Sequence, residues 1–148
     1  MSPVVIVNNA PIDAGAESGH IHAATAGDAG AVLCFSGAVR GGDVLAMTLE
    51  HYPDMTELAL RDIAVAAEKR WALLAVRVRH RVGRMMPGEI IVFVGVATTH
   101  RADAFAAGSY IMDYLKTQAP FWKKEETTAG CRWVDARDTD DDARNRWE

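Results

Sequence analysis

Residues Ile90–Ala97 read IIVFVGVA, a run without one polar side chain. A strand that is apolar on both faces has to be covered on both, so it belongs inside a sheet with further layers above and below. It leads through Thr98-Thr99-His100-Arg101 into a helical stretch expected to run to about Gln118, with Phe105, Gly108, Met112 and Leu115 as its inward stripe. Pro120 stops that helix and biases Ala119 away from helical backbone, so the segment after it is expected to be extended. A central strand, a long helix and a returning strand thus form the spine of the chain.

Other elements are placed around that spine. Val4–Val7 is a short first strand, and Ala14–Ala24 a helix capped by Asp13. Ala31–Val39 reads as a buried strand. Leu45–Tyr52 alternates, with Leu45, Met47, Leu49 and His51 on one face. Only Gly41-Gly42-Asp43 and their neighbours separate these two runs, which predicts a hairpin. Asp54 with Glu57 has capping-box spacing at the start of a helix whose stripe is Met55, Ala59, Ile63, Ala67 and Trp71. In Ala75–Val82, Val76, Val78, His80 and Val82 face in, while Arg77, Arg79 and Arg81 read as a solvated row. Pro87-Gly88 makes a turn, Cys131–Asp135 a further strand, and residues 138–148 a short helix or a frayed tail. Strands and helices mix without regular βαβ alternation, so a single α+β domain over residues 1–148 is expected.

Composition excludes several functions. Sixteen basic against twenty acidic residues give a net charge of −4, a poor balance for a protein that must neutralise nucleic-acid phosphates. No apolar run approaches the roughly 20 residues of a membrane span, and the N-terminus lacks a secretory pattern, so a cytoplasmic location is expected. Two cysteines, Cys34 and Cys131, make neither a disulfide framework nor a zinc site. His20 and His22 lack a third ligand nearby in sequence, so no metal site is expected.

Two constellations carry chemistry. At Thr98–Arg101 a strand feeds a helix N-terminus, where free N–H groups, the dipole, His100 and Arg101 together suit a phosphate or carboxylate. The plainer alternative is that Thr99 only caps the helix. Downstream, Lys116, Lys123 and Lys124 fall in MDYLKTQAPFWKKEE, although lysine is much rarer than arginine in this chain. Crowded ammonium groups disfavour one another's charge, which makes a lysine there a better proton acceptor; Glu125 is placed to offset this by pairing. Phe121 and Trp122 are either a flat wall for a ring or core packing. Arg40, beside Gly41-Gly42, is a weaker candidate for a pocket rim. Arg101 and Lys116 stand ~22 Å apart along one helix, so they serve two sites or meet across a symmetric dimer. His51 and His80 are expected to be satisfied core residues, and Cys34 to be inert.

The segments GAVR, MTLEHYPDMTE, PGEIIVFVGVATTHRADAF, IMDYLKTQAPFWKKE and RWVDAR, in order from about Ala31 to Arg137, resemble the large, catalytic subunit family of molybdopterin synthase. The resemblance implies an α/β hammerhead-type domain with an additional antiparallel β subdomain. It implies a sulfurtransferase that converts cyclic pyranopterin monophosphate (precursor Z) to molybdopterin. Its sulfur would come from the C-terminal Gly-Gly thiocarboxylate of a small ubiquitin-like subunit, without metal or organic cofactor. The implied assembly is a homodimer within a heterotetramer. By the same resemblance Lys116 and Lys123 are the catalytic positions. Arg40, His100, Arg101 and Arg137 bind substrate, with Ala38, Val39, Lys124, Glu125, Phe35 and Met112 also lining the site. Family members carry a longer polar loop where this chain has only Gly41-Gly42-Asp43. A non-catalytic module that binds an anion or an acidic tail is the alternative; it would tolerate Lys116→Arg, whereas a catalyst using a free amine would not.

Overall fold

The computed structural model describes residues 3–134 and 138–148. Arg137, and the Asp135 end of the last expected strand, lie outside the described residues. In chain order the elements are β1 (Val4–Asn8), α1 (Ala14–Ala24), β2 (Ala31–Ala38), β3 (Val44–His51), α2 (Met55–Arg70) and β4 (Leu73–Arg81). There follow β5 (Gly83–Met85), β6 (Ile90–Thr98), α3 (Arg101–Gln118), β7 (Phe121–Thr127), β8 (Gly130–Val134) and α4 (Asp138–Asn145). They build two four-stranded sheets, ordered β1-β4-β6-β2 and β5-β3-β7-β8.

β6 occupies the interior position that its composition requires, antiparallel to β4 on one side and to β2 on the other. Val92, Val94 and Val96 pack on one face with Leu60, Ile63 and Ala64 of α2 and Ala104, Ala107, Ile111 and Leu115 of α3. Phe93 and Ala97 face the other way, onto Ile21 of α1. Burial of these aliphatic side chains on both faces, at about 25 cal/mol per Å² of apolar surface, is the principal force holding the first sheet between its helices.

Several expectations are corrected by tertiary contacts. β2 is an edge strand of the first sheet, so Cys34, Phe35 and Ser36 are exposed rather than buried. β2 and β3 form no hairpin: the intervening turn carries the chain from one sheet to the other. In β3 a bulge between Val44 and Ala46 turns Leu45 out to solvent, breaking the alternation read from sequence. α2 has no capping box, because Asp54 sits at φ 69° and its side chain caps nothing. Its buried stripe is Thr56, Leu60, Ile63, Ala64 and Ala67, leaving Met55 exposed. Steps of four drift off a 3.6-residue period, and the buried face follows the true period. In α3 the buried face runs through Ala104, Ala107, Gly108, Ile111 and Leu115, and Phe105 lies beside it, exposed.

The arginine row of β4 is also not a solvated face. α1 lies over it and brings Glu17, 3% exposed, onto Arg77 and onto Arg79 at 2.7 Å. Burial would raise the Glu17 pKa, but hydrogen bonds and charge from the two guanidinium groups outweigh it and hold the carboxyl below its usual range. Asp13 caps α1 as expected, accepting from the Ala16 N–H at 3.0 Å. The acidic end of the chain is helical, and Trp147 closes it against Trp71 and Tyr110 while donating to Asp113.

Candidate active site

The sequence Lys116-Thr117-Gln118-Ala119-Pro120-Phe121-Trp122-Lys123 turns from α3 into β7 through the two-residue link Ala119-Pro120. Ala119 is extended (φ −75°, ψ 128°), as a residue before proline should be. This corner brings Lys123 back towards Lys116. Protein packed around the Lys116 ammonium strips part of its hydration, and the Lys123 charge adds repulsion; together they lower the Lys116 pKa, with Asp140 acting in the opposite sense. Lys116 remains exposed at the surface, so the amine is accessible to a substrate.

Strand alternation separates the two adjacent lysines. Lys123 pairs in register with Leu49 and Val134, and Lys124 with Thr48 and Trp133, so they project from opposite faces of the second sheet. Lys124 lies over the Trp133 ring, 5.8 Å from its centroid, turned away from Lys116. Glu125 shares the Lys123 face but pairs with Arg132 at 3.0 Å rather than with a lysine, and Arg132 reaches Asp43 as well. The two aromatic residues likewise divide. Phe121 packs inward against both cores, whereas Trp122 is exposed and meets Tyr52 edge-on at 4.7 Å. Trp122, Tyr52, Trp133, Glu50 and His51 line a surface hollow of ≈ 350 Å³. Only strand pairing brings Tyr52 and Trp133 beside Trp122, on the face of β7 opposite Lys123.

Arg40 is exposed immediately beyond β2. Val39 before it is tied by its N–H to Glu89 O (2.9 Å) and by its carbonyl to Gly88 N–H (2.8 Å), with its side chain in the small core of the second sheet. Ala38 pairs with Ile90, so Arg40 stands at the end of the sheet where β6 begins. α3 reverses direction after β6, which puts its C-terminal residue Lys116 towards that same end. Phe35 lies midway along the exposed edge, 43% accessible, and Met112 is half-buried on α3.

His100 and Arg101 occupy the opposite end. His100 is the N-cap residue of α3 and makes no side-chain capping bond; Thr98 donates to the His100 carbonyl at 2.6 Å, and Thr99 is exposed. Among the described residues no side chain caps the first-turn N–H groups, which lie beside His100 and Arg101. Gly30 makes this approach possible: a Cβ there would lie 2.2 Å from the Thr99 carbonyl oxygen. Within one chain, then, Arg40, Lys116 and Lys123 lie towards one end of the first sheet and His100 with Arg101 at the other.

His80 is a core residue, as expected. Its Nδ1 donates to the Arg81 carbonyl at 3.0 Å, and its ring stacks on Phe121 at 4.0 Å. Burial, chiefly, brings its pKa down to about 4, so it is neutral at pH 7. Among the described residues no three His, Cys, Asp or Glu side chains cluster as metal ligands. No described helix is long and apolar enough to cross a membrane.

The MoaE protein family model matches residues 7–118. The molybdopterin synthase catalytic subunit of Salmonella typhimurium strain LT2 is 52% identical over 147 residues, covering 97% of both chains. The solved MoaE protein of Burkholderia ambifaria superposes with a TM-score of 0.85 at 50% identity, covering 98% of this chain and 97% of that one. A chain from the Helicobacter pylori complex of subunits 1 and 2 of molybdopterin-converting factor shares the fold, with a TM-score of 0.76 at 16% identity over 90% and 91% of the two chains. The chain belongs to the MoaE family of molybdopterin synthase catalytic subunits.

Proposed function

We propose that the site at the α3–β7 corner transfers sulfur to precursor Z from the C-terminal thiocarboxylate of a small ubiquitin-like Gly-Gly subunit, forming molybdopterin. The observation that carries this reading is the α3–β7 corner, which returns Lys123 towards the exposed Lys116; loss of hydration and the Lys123 charge lower the Lys116 pKa there. A neutral Lys116 amine takes the proton of the nucleophile that frees sulfur from its acyl carbon, or captures the acyl group itself. The Lys123 ammonium holds the negative thiocarboxylate. Arg40, His100 and Arg101 bind the phosphate and Arg137 is a further arginine of the pocket, with Ala38, Val39, Phe35 and Met112 around the substrate. Lys124 and Glu125 belong to the same sequence element, but Lys124 faces away and Glu125 is held by Arg132.

The two cationic ends form one site in a homodimer, which the small subunit extends to a heterotetramer. β2 offers an unpaired edge for this. An antiparallel pairing of two β2 strands centred on Phe35 sets Arg40 opposite the partner's Gly30, the residue packed on Thr99 beside His100. Gly108, near the middle of α3, packs on Leu33 of β2, so the middle of the helix and the middle of the strand share one level. A two-fold axis there also carries Arg101 of one protomer towards the partner's Lys116.

Single-turnover molybdopterin formation from precursor Z and a thiocarboxylated small subunit tests the reading in wild type and Lys116→Arg. Product from wild type and none from the variant, with partner binding unchanged, supports it. Equal behaviour of both proteins would leave an anion- or tail-binding module.

A further inference from the structure

We propose that Thr56 and His80 are positioning residues for the Lys116–Lys123 pair, acting on the short link between them from two sides. The inference rests on the reading of those lysines as the reacting groups. The link itself has little to stiffen it. Pro120 lacks an N–H, and the local turn contributes one bond, from the Phe121 N–H to the Ala119 carbonyl at 2.9 Å.

Two buried polar side chains supply the missing constraint. Thr56, 0% exposed in the first turn of α2, donates its hydroxyl to the Pro120 carbonyl at 3.0 Å and accepts from the Tyr52 N–H at 3.2 Å. It thereby fixes the link from the α2 side and ties it to the end of β3. His80, 5% exposed on β4, lies beneath Phe121 with ring planes inclined by only 22°. Its own orientation is set by the bond to the Arg81 carbonyl, and its backbone by pairing with Val92 and Val7 in the middle of the first sheet. An aliphatic residue would fill the Thr56 position without the cost of burying a polar atom. The Thr56 hydroxyl gives a defined direction to Pro120 and the flat His80 ring a fixed face to Phe121, and the lysines stand four residues before Pro120 and two after Phe121.

The variants are Thr56→Val against Thr56→Ser, and His80→Ala against His80→Phe. In each pair the second retains the hydroxyl or the ring. Two readouts apply to the homodimer with its small subunit. The first is kcat and KM per folded molecule. The second is the pH titration of the Lys116 side chain by NMR of lysine-labelled protein, which holds only Lys69, Lys116, Lys123 and Lys124. Thr56→Val and His80→Ala are expected to lower kcat about tenfold or more with little change in KM, since small misplacements of reacting groups are costly. They should also move the Lys116 titration towards that of an ordinary lysine, with Thr56→Ser and His80→Phe restoring both. A lowered Tm with unchanged kcat and unchanged Lys116 titration would overturn the proposal. Should His80→Ala fail to fold, the Thr56 pair decides alone. Absence of synthase activity in wild type would sink the catalytic reading, while the Lys116 titration would still report on the positioning.

Discussion

Arg101 and Lys116 stand at the two ends of one uninterrupted helix, α3, with ~22 Å of helix axis between them. One small anion cannot touch both within a chain, so they serve two sites or, on the reading proposed above, one site completed by a second copy. Mixing Arg101→Ala with Lys116→Ala protomers tests this directly. Each mixed dimer keeps one site with both wild-type residues. A randomly exchanged equimolar mixture is therefore expected to recover about a quarter of wild-type activity, while either variant alone is nearly inactive. Activity that never exceeds that of the separate variants would refute the shared site.

The lowered proton affinity of Lys116 has a kinetic signature. Its single-turnover rate should rise with pH through an apparent pKa below the ordinary lysine value of 10.5. Lys123→Gln removes the neighbouring positive charge and should shift that limb to higher pH, without reaching the ordinary value because loss of hydration is the larger cause. A pH–rate profile of the variant identical to that of wild type would show that Lys123 does not act on Lys116.

Glu17 binds α1 to the sheet through two arginines. Glu17→Ala leaves Arg77 and Arg79 largely buried without their carboxylate, a change expected to cost about 3–5 kcal/mol. Urea unfolding of the variant measures it, and a loss below about 1 kcal/mol would show that the arginines find other partners.

His80 makes the fold sensitive to acid. Its pKa is about 4 when folded against 6.5 in its free form, so folding favours the neutral ring. The contribution is complete above pH 6.5 and is lost as pH falls towards 4, amounting to about 3 kcal/mol at most. His80→Phe should flatten stability over that interval, leaving the loss below about pH 4.5 that protonation of Glu17 produces. Parallel curves for variant and wild type over pH 4–6.5 would contradict this.

Local chemistry was enough to define the spine and the candidate residues. A run apolar on both faces had to be an interior strand, Pro120 had to end α3, and a lysine cluster in an arginine-rich chain marked the corner. Those signals lie within a few residues of each other, where periodicity, backbone restriction and charge act directly. The sequence could not tell which of Phe121 and Trp122 faced inward, nor which of Lys123 and Lys124 would take the Lys116 side. That depended on the register of β7 against β3, which long-range pairing sets.

Burial and charge pairing were decided by what came to lie on each surface. Ala31–Val39 has the composition of a core strand, yet the sheet ends at β2, so Cys34 and Phe35 are exposed in the single chain. Arg77 and Arg79 look like solvent residues until α1 lays Glu17 across them. Asp54 and Glu57 have the spacing of a capping box, but the entry to α2 is set by Thr56, whose hydroxyl reaches Pro120, distant in sequence. Sequence alone determined which residues carry the chemistry and the backbone elements that bear them, because residue type and local backbone restriction are properties of the chain itself. Tertiary structure decided which of them meet, because sheet order, strand register and layer packing depend on contacts between segments that no local pattern encodes.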